Sequence, residues 1–368
     1  MKQRRGRLVL VETLADLDAR LEAGATSLRG WRLRDLDLTE RSAQLARVEL
    51  TGATFLGCRF APYDAARAEA EGALVLPRIP EVPVDVYRSA LYTPEELYDA
   101  EDYSATLDAR AYAWSQQHGG PDDTLARALH DHAIDQALEA WIRGHHVIGV
   151  MGGHAVERGT AAYADAARLG LLLGGSHIVA TGGGPGAMEA ANLGAWLSAR
   201  PATDLDEALG RLAKVPGFRP SIQDWARVAL EVRAAAAVGG GEAPPRSLGI
   251  PTWHYGHEPP NVFTDAIAKY FRNATREAIL LEVCDAGILF LPGLAGTVQE
   301  VFQDACENYY ADGSAVAPMV LVGRDYWTHD LPVWPLLSSL ARDRAMEGRV
   351  HLVDTLEEAA ALLGPASG

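Results

Sequence analysis

HIVATGGGPGAMEAAN, residues 177–192, joins an apolar run to a glycine-rich turn and then to a run of small, helix-forming residues. HIVAT reads as a buried strand and TGGGPG as the turn beyond it. Pro185 places a helix start close by, because proline's missing N–H costs nothing in a first turn. The same grammar recurs on both sides. Upstream, VIGVMGG (147–153) is a short apolar run ending in glycines, with a helical pattern over 160–173 after it. Downstream lie SLGIPT (247–252), AGILFL (286–291) and APMVLVG (317–323), with helical patterns at 297–311 and 333–345. Short apolar strands alternating with helices imply an α/β chain with a Rossmann-like parallel sheet and helices on both faces. The expected domain covers 146–368. An insertion at 200–246 interrupts the alternation and is read as lying over the site. It holds a helix, IQDWARVALEVRAAAAV, and a flexible loop, GGGEAPP.

Residues 1–80 follow another rule. Apolar residues recur at every fifth position: Leu28, Leu33, Leu38, then, after a two-residue slip, Leu45, Leu50, Phe55 and Phe60. The small residues Ala43, Val48, Ala53 and Cys58 stand two positions before the last four. Period five fits neither helix nor plain strand, and it resembles a pentapeptide-repeat β-solenoid. A small irregular β-rich appendage is the plainer alternative. Residues 81–145 form a linker and a helical segment. Pro77, Pro80, Pro83 and Pro94 mark the linker, and TLARALHDHAIDQALEAWIRG has helical spacing with a stop at Gly144. His130, His132, His145 and His146 have no carboxylates at a metal spacing beside them and read as surface or packing residues.

Composition narrows the function. The formal charge of −16 argues against nucleic acid as a partner, since that binding rests on phosphate neutralisation by Lys and Arg. Cys58, Cys284 and Cys306 show no CxxC or zinc-like spacing, so neither a disulfide framework nor a metal is expected. The N-terminal apolar run is too short for a signal peptide, and no stretch approaches the roughly 20 residues of a membrane span. The expectation is a cytoplasmic chain without membrane contact.

A few local donors still suffice for a small phosphorylated ligand. MGGH (151–154), TGGGPG (181–186) and PGLAG (292–296) all fall at expected strand ends. In open parallel sheets ligands bind there, and a following helix offers unpaired N–H groups to an anion. The candidate binding residues are Gly153, His154, Gly183, Gly184, Gly186, Met188, Glu189, Gly293, Gly296 and Thr297. A dinucleotide fingerprint is not met, because position 187 is Ala and no strand-borne acid stands about 20 residues on. Each candidate has a structural alternative. Thr297-Val-Gln-Glu300 reads as a capping box with Thr297 as N-cap, and Glu189 as a first-turn acid favoured by the helix dipole. His254 and His257 read as loop residues, and Trp253 and Tyr255 as core aromatics or base-stacking rings.

Four motifs in order carry a resemblance: GGH (152–154), TGGGPGAMEAAN (181–192), EPPN (258–261) and PGLAGTVQE (292–300). Together they resemble the pyrimidine/purine-nucleotide 5′-monophosphate nucleosidases of the LOG-type phosphoribohydrolase group, once described as lysine decarboxylases. The likeness covers 147–325 and leaves out the N-terminal 140 residues and the 200–246 insertion. It implies a Rossmann-like fold and a homodimer or higher assembly. It further implies hydrolysis of a nucleoside 5′-monophosphate to free base and ribose 5-phosphate, with neither metal nor cofactor. The family's PGGxGTxxE motif falls on Pro292, Gly293, Gly296, Thr297 and Glu300, with Leu294 where the family has glycine. Its catalytic arginine falls in YFRNATREAILLE, on Arg276 in preference to Arg272. The resemblance thus implies Arg276 and Glu300 as catalytic residues. A non-catalytic nucleotide carrier or sensor of the same fold is the alternative, and an interaction protein built on the repeat-like segment is a third.

Overall fold

The computed structural model describes residues 9–79, 82–117, 120–237, 246–255 and 258–363. The GGGEAPP loop, Pro80 and His257 lie outside the described residues. The chain divides into two compact units, residues 1–87 with 119–130, and residues 88–118 with 131–368. The segment read as linker and helices is therefore shared between them.

In the first unit, four short strands stack in sequence order: β1 (Val9–Val11), β2 (Trp31–Arg34), β3 (Thr54–Leu56) and β4 (Leu74–Leu76). All three pairings are parallel, and each coil of twenty-odd residues returns the chain beside its predecessor. The five-residue period is the inside of this stack. Leu28, Leu33, Leu38, Leu45, Leu50 and Phe55 are all buried in one core, and Phe60 packs against it with its ring edge-on to Phe55 at 5.1 Å. The slip between Leu38 and Leu45 has a local cause. The short helix Ser42–Leu45 takes up the extra residues and returns Leu45 to the interior.

The second unit holds a seven-stranded parallel sheet: β5 (Val147–Met151), β6 (Ile178–Thr181), β7 (Ser247–Gly249), β8 (Ala266–Ile267), β9 (Gly287–Phe290), β10 (Met319–Val322) and β11 (Val350–Val353). Their order is β11-β10-β9-β5-β6-β7-β8, and every pairing is parallel. This is the doubly wound, Rossmann-like α/β arrangement. The chain winds outward from β5 to β8, then crosses back to β9 and winds the other way. The order therefore reverses between β5 and β9. All residues of β5, β6, β9 and β10 are buried, as strands covered on both faces must be.

Two helices hold the middle of the sheet, Ala161–Leu173 and Ala187–Leu197. They cross at Gly170 and Gly194. A Cβ on Gly170 would lie 2.0 Å from the Ala191 carbonyl oxygen, and one on Gly194 would lie 1.8 Å from that of Ala167. Only hydrogen fits at this crossing. The 200–246 insertion forms helices Ala202–Leu212 and Ile222–Ala237. Leu205, Ala208, Leu212, Ala229 and Val232 share one apolar core with β5 and β6, so the insertion is built into the body of the unit. Helix Pro121–Ile142 ends just before Gly144, whose φ of +81° stops it. No helix among the described residues is long and apolar enough to cross a membrane.

Candidate active site

The three glycine-bearing turns meet at the carboxyl ends of β5, β6 and β9, on either side of the strand-order reversal. Their closeness is set by the glycines themselves. A Cβ on Gly186 would fall 2.6 Å from the carbonyl oxygens of Gly153 and His154, and the φ of Gly186 is +75°. A Cβ on Gly153 would touch the Pro292 carbonyl at 3.5 Å and the Gly293 Cα at 3.9 Å. Gly183, at φ +70°, has Pro251 Cδ and the Ile250 amide in the space of its missing side chain.

The TGGGPGAMEAAN and EPPN segments lock together through their asparagines. The Asn261 amide donates to the Gly183 carbonyl at 2.8 Å, and its side-chain Nδ2 donates to the Gly184 carbonyl at 3.2 Å and to Asn192 Oδ1 at 2.9 Å. Asn192 also accepts from Thr181 Oγ1 at 2.6 Å and donates to Ser247 Oγ at 2.9 Å. Both asparagines are fully buried. Their role is to fix the turn, and the sequence offered no local pattern for it.

As a candidate anion cradle, the TGGGPG turn offers fewer free amides than its four glycines suggest. The Gly183 amide donates to Thr181 Oγ1 at 2.9 Å and the Ala187 amide to the Gly153 carbonyl at 3.1 Å. Pro185 has no N–H, while Gly184 and Gly186 have amides that this turn can offer an anion. The second cradle is the start of helix Ala295–Tyr310, directly after β9. Its first-turn amides, Gly296 and Thr297 among them, point their dipoles toward the strand end. Leu294 caps this helix with φ −101°, a value open to any L-residue, and its side chain is 72% exposed. The departure from glycine thus leaves the backbone path of the turn intact. His154 is exposed at the rim, and Met188 lies over the turn, with its sulfur 2.8 Å from a Cβ built on Gly182.

The capping-box reading of Thr297 and Glu300 is corrected. The helix starts at Ala295, two residues earlier than that reading needs, and Leu294 is its N-cap with no side-chain cap hydrogen bond. Thr297 is buried inside the first turn, its hydroxyl against the Cα of Gly293. Glu300 is left without a capping duty. Burial pushes its carboxyl up to about 7; Arg276 pulls it down and Glu277 raises it further. A carboxyl at that value is poised to give and take protons near neutrality.

Arg276 is 7% exposed on helix Asn273–Glu282, whereas Arg272 is an exposed N-cap residue. Asn273 Oδ1 accepts from Arg276 Nε at 3.2 Å and Nη2 at 2.7 Å. Its other nitrogen, Nη1, stands 3.7 Å from a Cβ built on Gly182. The guanidinium thus spans from its own helix to the β6 turn and acts electrostatically on Glu300. Glu277 braces the group. It accepts from Gln299 Nε2 at 2.6 Å, Asn273 Nδ2 at 2.7 Å and Tyr255 Oη at 3.0 Å. Sequence reasoning missed Glu277, Gln299 and Asn273, although Glu277 and Gln299 adjoin the two residues it singled out. It missed Glu258 too, whose Oε2 lies 3.8 Å from a Cβ built on Gly184.

Glu189 is also corrected. It is fully buried and forms a two-point ion pair with Arg158, Nε donating to Oε2 at 2.9 Å and Nη2 to Oε1. The Arg158 guanidinium lies over the Trp225 ring at 4.6 Å. This pair ties the helix after β6 to the insertion, and no face of Glu189 is open to a ligand. Trp253 is buried core, stacked on Phe271 at 4.5 Å, while His254 is exposed in its loop. Among the described residues no cluster of ligands fits a metal ion. Cavities of 740 and 510 Å³ open between residues 98–106 and helix Ile222–Ala237, and they are lined by none of the site residues.

No family model matches the sequence, and no curated protein does. Among solved structures, the molybdenum cofactor binding protein from the phototrophic bacterium Rippkaea orientalis is similar over 60% of this chain and 96% of its own, at 18% identity and a TM-score of 0.35.

Proposed function

We propose that the chain hydrolyses the N-glycosidic bond of a nucleoside 5′-monophosphate, releasing free base and ribose 5-phosphate. The observation that carries this reading is a buried arginine, Arg276, reaching the β6 glycine turn and coupled electrostatically to Glu300 on the helix that follows the β9 turn, at the strand-order reversal. Cleavage of such a bond builds positive charge on the ribose ring. A carboxylate facing the anomeric carbon stabilises that charge and orients the attacking water. Glu300 is given this role. In its ionised form it also takes the proton of the water. Arg276, fixed by Asn273, keeps two donors in a planar fork toward the substrate's hydroxyls or base. The 5′-phosphate sits on the amides of Gly184, Gly186, Gly296 and Thr297, far enough from the reacting bond to serve as an anchor. No metal or cofactor enters this scheme. Assembly as a homodimer and a cytoplasmic setting belong to the same proposal.

The test is turnover. The full chain is incubated with AMP, GMP, CMP and UMP, and free base and ribose 5-phosphate are separated chromatographically. Glu300→Gln should lower kcat roughly 100-fold or more while circular dichroism stays unchanged. Arg276→Lys should fall too, since an ammonium cannot reproduce the fork. Tight nucleotide binding with no turnover of any substrate would replace the enzyme by a carrier or sensor on the same site.

A further inference from the structure

The opposite end of the same strands carries a second cluster of charge-bearing groups. The residues directly before β5, β6 and β7 are His146, His177 and Arg246. Parallel pairing sets them in a row, because Val147 lies beside Ile178 and Val179 beside Ser247. They line a hollow of 140 Å³ together with His145, Gly175, Ser176 and Ile178. Along β5 this edge lies roughly 16 Å from the glycine turns, at about 3.3 Å per residue.

The groups that line it are rich in hydrogen-bond donors. Arg246 donates through Nη1 to the Gly174 carbonyl, but its Nε is buried with no partner among the described residues. A buried donor left unpaired is costly. His177 is 7% exposed, and its Nδ1 is 2.9 Å from Ser176 Oγ. Burial and the neighbouring His146 push its imidazolium form down, while Asp285 favours it. Two carboxylates stand nearby. Asp285 is bound to His146 Nδ1 at 2.8 Å and to the Val147 amide at 2.8 Å. Asp265 is held by the amides of Arg246 and Ser247, at 2.7 and 2.9 Å. Each is engaged, whereas the guanidinium Nε is not. Three imidazoles and a guanidinium gathered around one hollow offer several donors to an anion, and more once the imidazoles take up protons.

We propose that this hollow is a binding site for a tetrahedral oxyanion, inorganic phosphate or the phosphate of a small monoester, held by Arg246, His146 and His177. A whole nucleotide does not fit, since pockets for ligands of that size run from about 300 Å³ upward. The site is independent of the nucleosidase reading and lies at the other edge of the sheet.

The experiment follows the imidazole resonances of the full chain by NMR during titration with inorganic phosphate, and separately with phenyl phosphate, at pH 6 and pH 8. Variants His146→Gln and His177→Gln assign the signals. Phosphate should move the His146 and His177 signals saturably, raise both titration midpoints, and bind at least about fivefold more tightly at pH 6. Arg246→Gln should remove the effect. His146→Gln, at a half-exposed position that does not endanger the fold, should weaken it. Tighter binding of phenyl phosphate assigns the site to a monoester, and binding of inorganic phosphate alone assigns it to the free ion. Absent or unsaturable shifts, unchanged binding in both variants, or displacement of phosphate by Zn²⁺ at the imidazoles would each overturn the proposal. Because turnover is not the readout, its failure is separate from any failure at Glu300.

Discussion

Asp304 gives the sharpest residue-scale expectation. It lies one helical turn beyond Glu300, is 5% exposed, and its Oδ2 is buried without a hydrogen-bond partner among the described residues. Burial raises its carboxyl to about 8, with Glu307 adding to the effect. A carboxyl held above its ordinary value keeps its proton in the folded chain and releases it in the unfolded chain. The stability this one group contributes is therefore fully present below about pH 4 and is lost as the pH rises toward 8. Asp304→Asn removes this penalty. It should stabilise the protein by about 1–3 kcal/mol at pH 8 and by almost nothing at pH 4, read from urea melts at the two values. A variant less stable at pH 8 would mean that the carboxylate has an ionic partner in solution. Glu300, raised to about 7, works in the same direction. At this scale a motif drew attention to Arg276 and Glu300 in the sequence, and their catalytic roles are part of the proposed function. Glu189 misled, since its partner Arg158 stands 31 positions away in the chain and no local spacing points to it.

Among the elements, the crossing at Gly170 and Gly194 decides how close two helices come. A methyl at Gly194 would meet the Ala167 carbonyl at 1.8 Å, so Gly194→Ala forces the helices apart and should cost about 3 kcal/mol or more. Gly210, inside helix Ala202–Leu212, has nothing within 4 Å of its would-be Cβ. There alanine should gain about 0.5–1 kcal/mol, because it restricts the unfolded chain and favours the helix. Thermal melts of the pair test packing against propensity within one unit. If both variants behaved alike, the crossing would not be as tight as described. Strands β5, β6, β7, β9 and β10 were legible as apolar runs bounded by turns. Strand β8 has two residues and β11 alternates with His351, so neither leaves an apolar run to read. The Thr297 cap failed for a related reason: the helix begins in the glycine turn itself, where residue preferences carry little information.

For the whole molecule, the division into two compact units has a thermodynamic signature. Each unit has its own sheet and its own buried apolar cluster. Unfolding followed by calorimetry should show two transitions in place of one, since two cores need not melt together. A nucleoside monophosphate at 100 times its Kd should raise the transition of the seven-stranded unit by about 2.7 kcal/mol and leave the other where it is. Equal movement of both would mean that the units melt as one.

The four-stranded stack has a further property. Each strand there bonds only to its neighbours in sequence, and each coil repeats the interior positions of the last. Such a stack is one-dimensional in the energetic sense. Its length is a free variable: tandem duplication of the coil from Trp31 to Ala53 would supply its own strand, its own leucines and its own place in line. The chain can thus gain or shed a rung by a simple genetic event, without redesigning any interface inside the coils that remain.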